Sequence, residues 1–342
     1  RTRRYIQWFM QDHYRERIRQ ADRYCCSGKG TAAVSPGSAS ESGTGTRKLI
    51  IGTGLANNLV SLFNIIDMGR ILMRCLFGHM AVLAAAVTLL SGCGSVPLTG
   101  RKQFLLVSDQ EIFQAGLVQY KDYLKGATLS SDAYASSMVK NVGRKLAAAT
   151  EKYLVSNGLS SELSNFAWEF NLVKDKQVNA FCMPGGKIVV YEGLLTVAQT
   201  EDELAVVIGH EIAHAVAKHS NERMSQQMAV EYGKAILSKA LSEKSALVQV
   251  AASTVFGLGT QVGVMLPYSR KHEYEADYMG IVFMEMAGYD SQASVDFWKK
   301  MSSSSGDSKV QELLSTHPSD ENRVANLQSR IPEAKAIARS MR

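Results

Sequence analysis

The chain has 342 residues and a formal net charge of +6 at pH 7, a length that suits one large domain or two small ones. The charge is uneven: residues 1–92 hold 12 of the 38 Lys and Arg and 5 of the 32 Asp and Glu, leaving 26 basic and 27 acidic residues from Cys93 onward. The larger part of the chain therefore lacks the basic excess of a nucleic-acid-binding protein, and we expect no nucleic-acid partner.

Residues 1–67 have the composition of an upstream or disordered extension. An Arg-rich start is followed by a Gly/Ser/Thr-rich tract from Ser27 to Thr46, which cannot form a packed core. The weakly apolar stretch that follows is interrupted by asparagines and is a poor membrane span. We favour a working protein that starts at Met68; a genuine N-terminal extension fits the same composition.

Residues 68–92 have the pattern of a secretory signal peptide. Two arginines precede an apolar run from Met80 to Leu90, which has the length of an h-region and is too short to span a bilayer. The run ends in Leu-Ser-Gly before Cys93, which resembles the lipobox of bacterial lipoproteins. The resemblance implies acylation of Cys93 and a tether at 93–106. The alternative is an ordinary signal with an incidental cysteine.

Two helices and a small sheet are predicted next. Ser108 and Glu111 form a capping box before a helix over 112–124. A second helix over 131–154 should pack against the core through one stripe. The stripe consists of Tyr134, Met138, Val142 and Leu146. Alternating and apolar runs over 166–173, 178–183 and 187–191, with a Pro-Gly-Gly turn before the third, predict a small antiparallel sheet.

The central motif is His210-Glu211-Ile212-Ala213-His214. A capping box of Thr200 and Glu203 predicts a helix from about Glu201, and its following turns are apolar on nearly every side. Such a helix belongs in a core, where two imidazoles and a carboxylate are costly unless they are paired. A chance match on a solvated helix does not fit these surroundings.

The spacing of the motif predicts a metal site. His210 and His214 are four residues apart, so both rings project from one helix face and can bind one ion. Glu211 is rotated by about 100° and can reach a metal-bound water without binding the metal. This is the zinc-peptidase pattern. Glu211 is then the general base that takes a proton from the water and later delivers one to the leaving amine.

The chain continues with one or two helices over 234–266. The stretch 246–266 has no charged residue, and its polar residues and glycines favour a buried or membrane-facing helix pair over a transmembrane span. His219 is not predicted to be the third ligand. It lies five residues after His214, so on a continuous helix it faces away, as a solvated or hydrogen-bonded surface histidine.

A better third ligand lies on a helix predicted between Ser269 and Gly288. Glu273 and Asp277 share one face, and Gly280 follows on that face at i+7. One carboxylate can bind the metal, the other can orient a ligand imidazole, and the glycine allows two helices to approach closely. Glu275 should face elsewhere. A charged, solvated helix start is the alternative.

Together the two motifs resemble the zinc metallopeptidase family of the CAAX prenyl endopeptidases, HtpX and mitochondrial Oma-type proteases, with a layout like LoiP- and BepA-type bacterial members. The similarity covers about residues 107–327. The resemblance implies a mainly helical α+β fold of gluzincin-like zincin type over 107–342. It also implies one Zn²⁺ bound by His210, His214 and Glu273, with Asp277 behind them.

The resemblance and the compartment together give the expected function. We expect a zinc-dependent endopeptidase of the bacterial envelope, anchored by lipid at the outer membrane and facing the periplasm. It would degrade misfolded or misassembled proteins. An edge strand at Asn179 and Ala180 would hold the substrate backbone extended. The alternative is that the sheet only supports the metal-binding helix. Three roles of His317 stay open: it covers the zinc, it stabilises the oxyanion, or it makes a structural hydrogen bond. The rival functions are a periplasmic chaperone or assembly factor with the same fold and a zinc hydrolase of non-peptide bonds.

Overall fold

The structure is a computed structural model that describes residues 93–242, 266–304, 310–317 and 321–341. The predictions for the extension 1–67, for the signal peptide 68–92 and for nearly all of the uncharged stretch 246–266 lie outside these residues. Within the described ranges, none of the helices combines the length and the apolar character needed to cross a membrane.

Eight α-helices, five strands and two 3-10 helices make up the described part of the chain. The α-helices are α1 (Asp109–Gly126), α2 (Ala133–Ser156), α3 (Glu201–Val216), α4 (His219–Leu241), α5 (Leu266–Ala287), α6 (Gln292–Ser303), α7 (Gln311–Thr316) and α8 (Glu321–Ser340). The strands are β1 (Cys93–Ser95), β2 (Lys102–Phe104), β3 (Glu169–Val173), β4 (Ala180–Met183) and β5 (Lys187–Tyr191), and the 3-10 helices are Ser160–Asn165 and Glu192–Thr196. The predicted class, mainly helical with a small sheet, is confirmed.

The three-stranded sheet has the order β3-β5-β4. Strands β4 and β5 form the predicted antiparallel hairpin, and Gly185 and Gly186 in its turn have φ values of +90° and +75°, which glycine adopts without steric cost. The expectation of antiparallel pairing was wrong for β3, which pairs in parallel with β5. Every residue of β5 is buried, and such a strand takes the centre of a sheet, flanked on both sides.

Helix α1 begins with the predicted capping box, in which Ser108 and Glu111 cap each other's backbone. The apolar stripe predicted for helix α2 was wrong at its first residue. Tyr134 is 81% exposed. Residues four apart drift by about 40° per step on a 3.6-residue helix, so the stripe leaves the core over three steps. The buried residues of the helix include Ala135, Val139, Val142 and Leu146.

Helix α3 lies in the core, as its composition predicted. Thr200 caps it by accepting from the Glu203 backbone N–H, although the Glu203 carboxylate accepts from Gln199 rather than from Thr200. Helix α5 packs against α3 at two glycines. A Cβ on Gly280 would lie 3.1 Å from the backbone nitrogen of His210, tighter than ordinary contact. The close approach of the two helices therefore requires glycine there, as predicted.

Residues 93–104, within the segment expected to be a tether, form a hairpin. Strand β1 pairs antiparallel with β2, with Cys93 opposite Phe104. Val96 in the connecting turn is buried in the main core. Burial of this apolar side chain attaches the turn of the hairpin to the domain.

Candidate metal centre

Helix α3 places two imidazoles side by side. The Nε2 atoms of His210 and His214 are 3.0 Å apart, on one helix face as the spacing predicted. Glu273 reaches them from α5: its Oε2 lies 3.3 Å from His210 Nε2 and its Oε1 lies 3.4 Å from His214 Nε2. The predicted pair of helices is thus brought together at these three side chains.

His317 completes a group of four. It follows α7, and its Nδ1 lies 3.0 Å from Glu273 Oε2 and 3.2 Å from His210 Nε2. One donor atom from each of the four side chains lies within 4.8 Å of the others. The structure therefore places His317 inside the candidate site and not in a peripheral loop.

Asp277 holds His210 in the tautomer that a metal requires. Its Oδ1 lies 2.9 Å from His210 Nδ1. An ionised carboxylate can only accept hydrogen bonds, so a proton sits on His210 Nδ1, and Nε2 faces the group. The Asp277 pKa is lowered: burial opposes ionisation, but the Arg323 guanidinium outweighs it. The orienting role predicted for Asp277 requires this contact.

Sequence analysis missed the part played by Arg323. The side chain is fully buried, donates to both Asp277 oxygens at 2.6 and 2.8 Å, and lies 3.4 Å from the centroid of the Trp298 ring. No local pattern could reveal it, because it lies 46 residues from Asp277.

His219 is buried, so the prediction of a surface histidine was wrong. Helix α3 ends at Val216, and Lys218 has a left-handed φ of +55°, so the chain turns before His219. Its Nδ1 lies 2.8 Å from His214 Nδ1, and its Nε2 lies 3.0 Å from Glu275 Oε2. Although it is not a member of the four-residue group, it touches one of the four.

Two hydrogen bonds also define the tautomer of His214. Glu275 accepts from His219 Nε2, so His219 Nδ1 is an acceptor and receives the proton of His214 Nδ1. Burial keeps the pKa of His219 well below its usual value and lowers that of His214 to about 4, so both rings are neutral. His214 Nε2 then presents its lone pair beside that of His210.

The four donors fit a tetrahedral metal ion. Two ring nitrogens and an ionised carboxylate converge in a buried space, where the carboxylate requires a positively charged partner. Ligand atoms on a zinc ion with bonds of about 2.0–2.1 Å would lie about 3.3 Å apart. Five of the separations, taken to either oxygen of Glu273, run from 3.0 to 3.4 Å, and all four donor atoms lie within 4.8 Å of one another. The donor set therefore matches a small divalent cation that accepts nitrogen and oxygen ligands.

Glu211 lies beside the donor group without joining it. Its Oε2 accepts from the backbone N–H of Cys182 at 2.8 Å, and its Oε1 lies 3.2 Å from His317 Nε2, an ion pair without hydrogen-bond alignment. Burial opposes its ionisation, but the positive charge of His317 outweighs this effect and lowers the Glu211 pKa. In return, the carboxylates of Glu273 and Glu211 overcome burial and raise the His317 pKa to about 10.

Strand β4 is an edge of the sheet next to this site. The Asn179 carbonyl accepts from the Tyr191 N–H, so its backbone faces β5. Backbone groups alternate in direction along an antiparallel strand, so those of Ala180 and Cys182 face the open edge. Asn179 Oδ1 is buried and has no hydrogen-bond partner among the described residues. Of the two residues predicted to pair with substrate, Ala180 has the suitable backbone direction.

Comparison with known proteins decides the family. The model of peptidase family M48 matches residues 140–331, more than half of the chain, including the motif helix, Glu273 and His317. The chain belongs to peptidase family M48. The resemblance inferred from the two motifs and the metalloendopeptidase class are thereby confirmed, and the family is metal-dependent, in agreement with the donor group.

Curated relatives agree with this assignment. The mitochondrial metalloendopeptidase OMA1 of Schizosaccharomyces pombe is 31% identical over 254 residues, covering 70% of this chain and 67% of that protein. The Arabidopsis thaliana OMA1 is 37% identical over 168 residues, covering 49% of this chain and 32% of the relative. The Beta-barrel assembly-enhancing protease of Escherichia coli is 27% identical over 270 residues, covering 78% of this chain and 53% of that protein.

Proposed function

We propose that this protein is a zinc-dependent endopeptidase that cleaves extended segments of polypeptide. The observation that carries the proposal is the position of Glu211. One of its oxygens faces the donor group through His317, and the other is bound to the outer edge of β4 at Cys182. A carboxylate placed between a metal site and a strand edge is suited to activate water against a peptide held on that edge.

Different residues of the chain would bind the metal and transfer the proton. Zinc held by His210, His214 and Glu273 would supply Lewis-acid polarisation of the scissile carbonyl and a water of lowered pKa. Glu211, ionised in the folded protein, takes the proton of the attacking water and passes one to the leaving amine.

Strand β4 would hold the substrate. The outward backbone groups of Ala180 and Cys182 pair with the substrate backbone, so specificity for extended peptide comes from main-chain hydrogen bonds. The Cys182 N–H is bound to Glu211, so an arriving substrate replaces that bond and frees the carboxylate.

We assign His317 the role of covering the site at rest. Its Nδ1 lies at ligand-like distances from His210 and Glu273, and its Nε2 faces Glu211. It thus occupies the fourth position of the donor group, where the attacking water belongs, and engages the general base as well. Of the three roles that the sequence left open, this geometry favours the first.

The proposed substrates are misfolded or misassembled envelope proteins, and the proposed location is the periplasmic face of a bacterial outer membrane. Support comes from the signal pattern before Cys93 and from the E. coli relative, whose name concerns β-barrel assembly. The mitochondrial relatives belong to another compartment. Because Cys93 begins β1, a lipid on it would hold the domain directly at the membrane surface.

A second candidate function, a chaperone or assembly factor with the same fold, is favoured by one observation. Both Glu211 and the fourth donor position are engaged by His317, an arrangement that a binding protein could keep permanently. Only measured hydrolysis separates the two functions.

The test compares the parent chain with Glu211→Gln and His210→Ala on an unfolded protein such as casein, with zinc content determined for each. We expect the parent and Glu211→Gln to bind zinc and only the parent to cleave, with a loss of about 10²–10⁴-fold in Glu211→Gln. His210→Ala should lose zinc as well as activity. Zinc bound to a parent that cleaves nothing, even after His317→Ala, would support the binding protein.

A further inference from the structure

We propose that His219, Glu275 and Arg101 form a second orienting relay for the metal ligand His214, which makes the N-terminal hairpin part of the metal centre. The proposal rests on the proposed metal site but not on peptidase activity. His219, Glu275 and Arg101 are positioning residues: they act through His214 and touch neither the donor atoms nor the substrate.

The first step of the relay is the contact between two rings. His214 Nδ1 lies 2.8 Å from His219 Nδ1, and the ring centroids are 4.8 Å apart at 74°. This bond fixes both the rotation of the His214 ring and its tautomer. His210 has its own orienting carboxylate in Asp277 at Nδ1, whereas the carboxylate of Glu273 contacts His214 at Nε2. His219 therefore takes the place that Asp277 takes for His210.

The second step is the carboxylate that holds His219. Glu275 Oε2 accepts from His219 Nε2 at 3.0 Å, and both side chains are almost entirely buried. A neutral ring between a carboxylate and another imidazole transmits the orientation of the carboxylate to the ligand. Glu275 lies on the opposite side of α5 from Glu273, so one helix supplies both a metal donor and the anchor for the second ring.

The third step is the arginine that compensates two buried carboxylates. Arg101 donates through Nε to Glu275 at 2.8 Å, and through Nη1 and Nη2 to Glu222 at 2.9 and 2.7 Å. Glu222 also faces His272 at 2.9 Å. Without the guanidinium, two buried carboxylates would lack most of their compensating charge, which is strongly unfavourable. The position of Glu275 therefore depends on Arg101.

The hairpin delivers this arginine. Thr99 donates a short hydrogen bond to Glu275 Oε1, and Val96 in the same turn is buried in the main core. Strands β1 and β2 flank the turn on either side. The segment that begins at Cys93, expected from the sequence to be a tether, is thus connected to His214 through the side chains of Arg101, Glu275 and His219.

His219 and His272 provide a matched pair for the test. Their rings stack at 4.2 Å between centroids and 16°, both are buried, and each pairs with a carboxylate of the same cluster. The His219 ring contacts the proposed metal ligand His214, whereas the His272 ring pairs with Glu222. If the buried cluster of Arg101, Glu222, Glu275 and the two histidines only stabilises the fold, replacing either ring should affect metal binding equally.

The experiment measures the dissociation constants of Co²⁺ and Zn²⁺ by chelator competition, together with the visible absorption spectrum of bound Co²⁺, in the full chain. We expect His219→Leu to weaken binding about 10–100-fold and to change the Co²⁺ spectrum. His219→Gln, whose amide can accept from His214 and donate to Glu275, should restore affinity to within about threefold. His272→Leu should stay within the same limit.

The hairpin is tested separately with Arg101→Met against Lys102→Met, a neighbouring exposed cation on β2. We expect only Arg101→Met to weaken metal binding. Should a leucine or methionine variant fail to fold, Glu275→Gln, of equal size, must still raise the dissociation constant.

Equal weakening in His219→Leu and His272→Leu, or parent-like affinity in both His219→Leu and Glu275→Gln, would overturn the relay. A parent that binds neither metal would overturn the metal site and the relay together. A parent that binds metal but cleaves nothing would count against the proposed function alone.

Discussion

The Asp277 carboxylate lies 2.9 Å from His210 Nδ1 and is held from its other side by two N–H groups of Arg323. The orientation of this imidazole, a proposed metal ligand, is therefore set by a buried ion pair between α5 and α8. Any change to the pair should affect both metal binding and folding stability.

Asp277→Asn should weaken zinc binding about 10–100-fold and lower the free energy of unfolding by about 3–5 kcal/mol. The substitution keeps the size of the side chain but removes the charge that compensates buried Arg323. Chelator competition and denaturant unfolding measure the two effects. Asp290→Asn, at a side chain that is 60% exposed, is the control and should change neither; an Asp277→Asn protein that behaves like it would contradict the orienting role.

Gly280→Ala should lower the free energy of unfolding by about 1–3 kcal/mol. The new Cβ would lie 3.1 Å from the His210 nitrogen and 3.2 Å from the Gly209 carbonyl carbon, and helix backbone cannot move aside as a flexible side chain can. This cost outweighs the gain of about 1 kcal/mol in helix propensity. Gly126→Ala, where a Cβ meets no atom within 4 Å, is the control. Stabilisation of both variants in denaturant unfolding would show that α3 and α5 separate easily.

His317→Ala should raise the basal rate of peptide cleavage severalfold, because it frees both Glu211 and the fourth donor position. Initial rates on a quenched fluorescent peptide, with zinc content measured in parallel, test this expectation. Ser315→Ala, at an exposed position of α7, is the control. A fall in kcat at unchanged zinc content would instead assign His317 to stabilisation of the oxyanion.

The metal-free protein should lose stability as the pH rises from about 6.5 to about 10. The His317 pKa is raised from 6.5 to about 10 in the folded state, so the folded protein binds the extra proton. This contribution is fully present below the unfolded pKa and is lost as the pH passes the folded one. Urea unfolding with a chelator at pH 6 and pH 9.5 measures it. His317→Gln should show a smaller decrease, and an equal decrease in both proteins would contradict the assignment.

The sequence by itself determined the features that depend on local periodicity. The four-residue spacing places His210 and His214 on one face of any α-helix, and the same geometry groups Glu273, Asp277 and Gly280. Helix starts at Ser108 and Thr200 followed from capping residues that satisfy nearby backbone groups. These predictions succeeded because helical hydrogen bonds join residues a fixed, short distance apart.

Only the tertiary structure decided the rest of the site. His219 enters the relay because Lys218 turns the chain out of α3, and a helical projection cannot anticipate that break. The contacts from Arg323 to Asp277 and from Arg101 to Glu275 join residues 46 and 174 positions apart. The parallel pairing of β3 with β5 is likewise non-local. Such contacts depend on how complete elements pack and on which buried charges must be compensated, and no local sequence pattern records either.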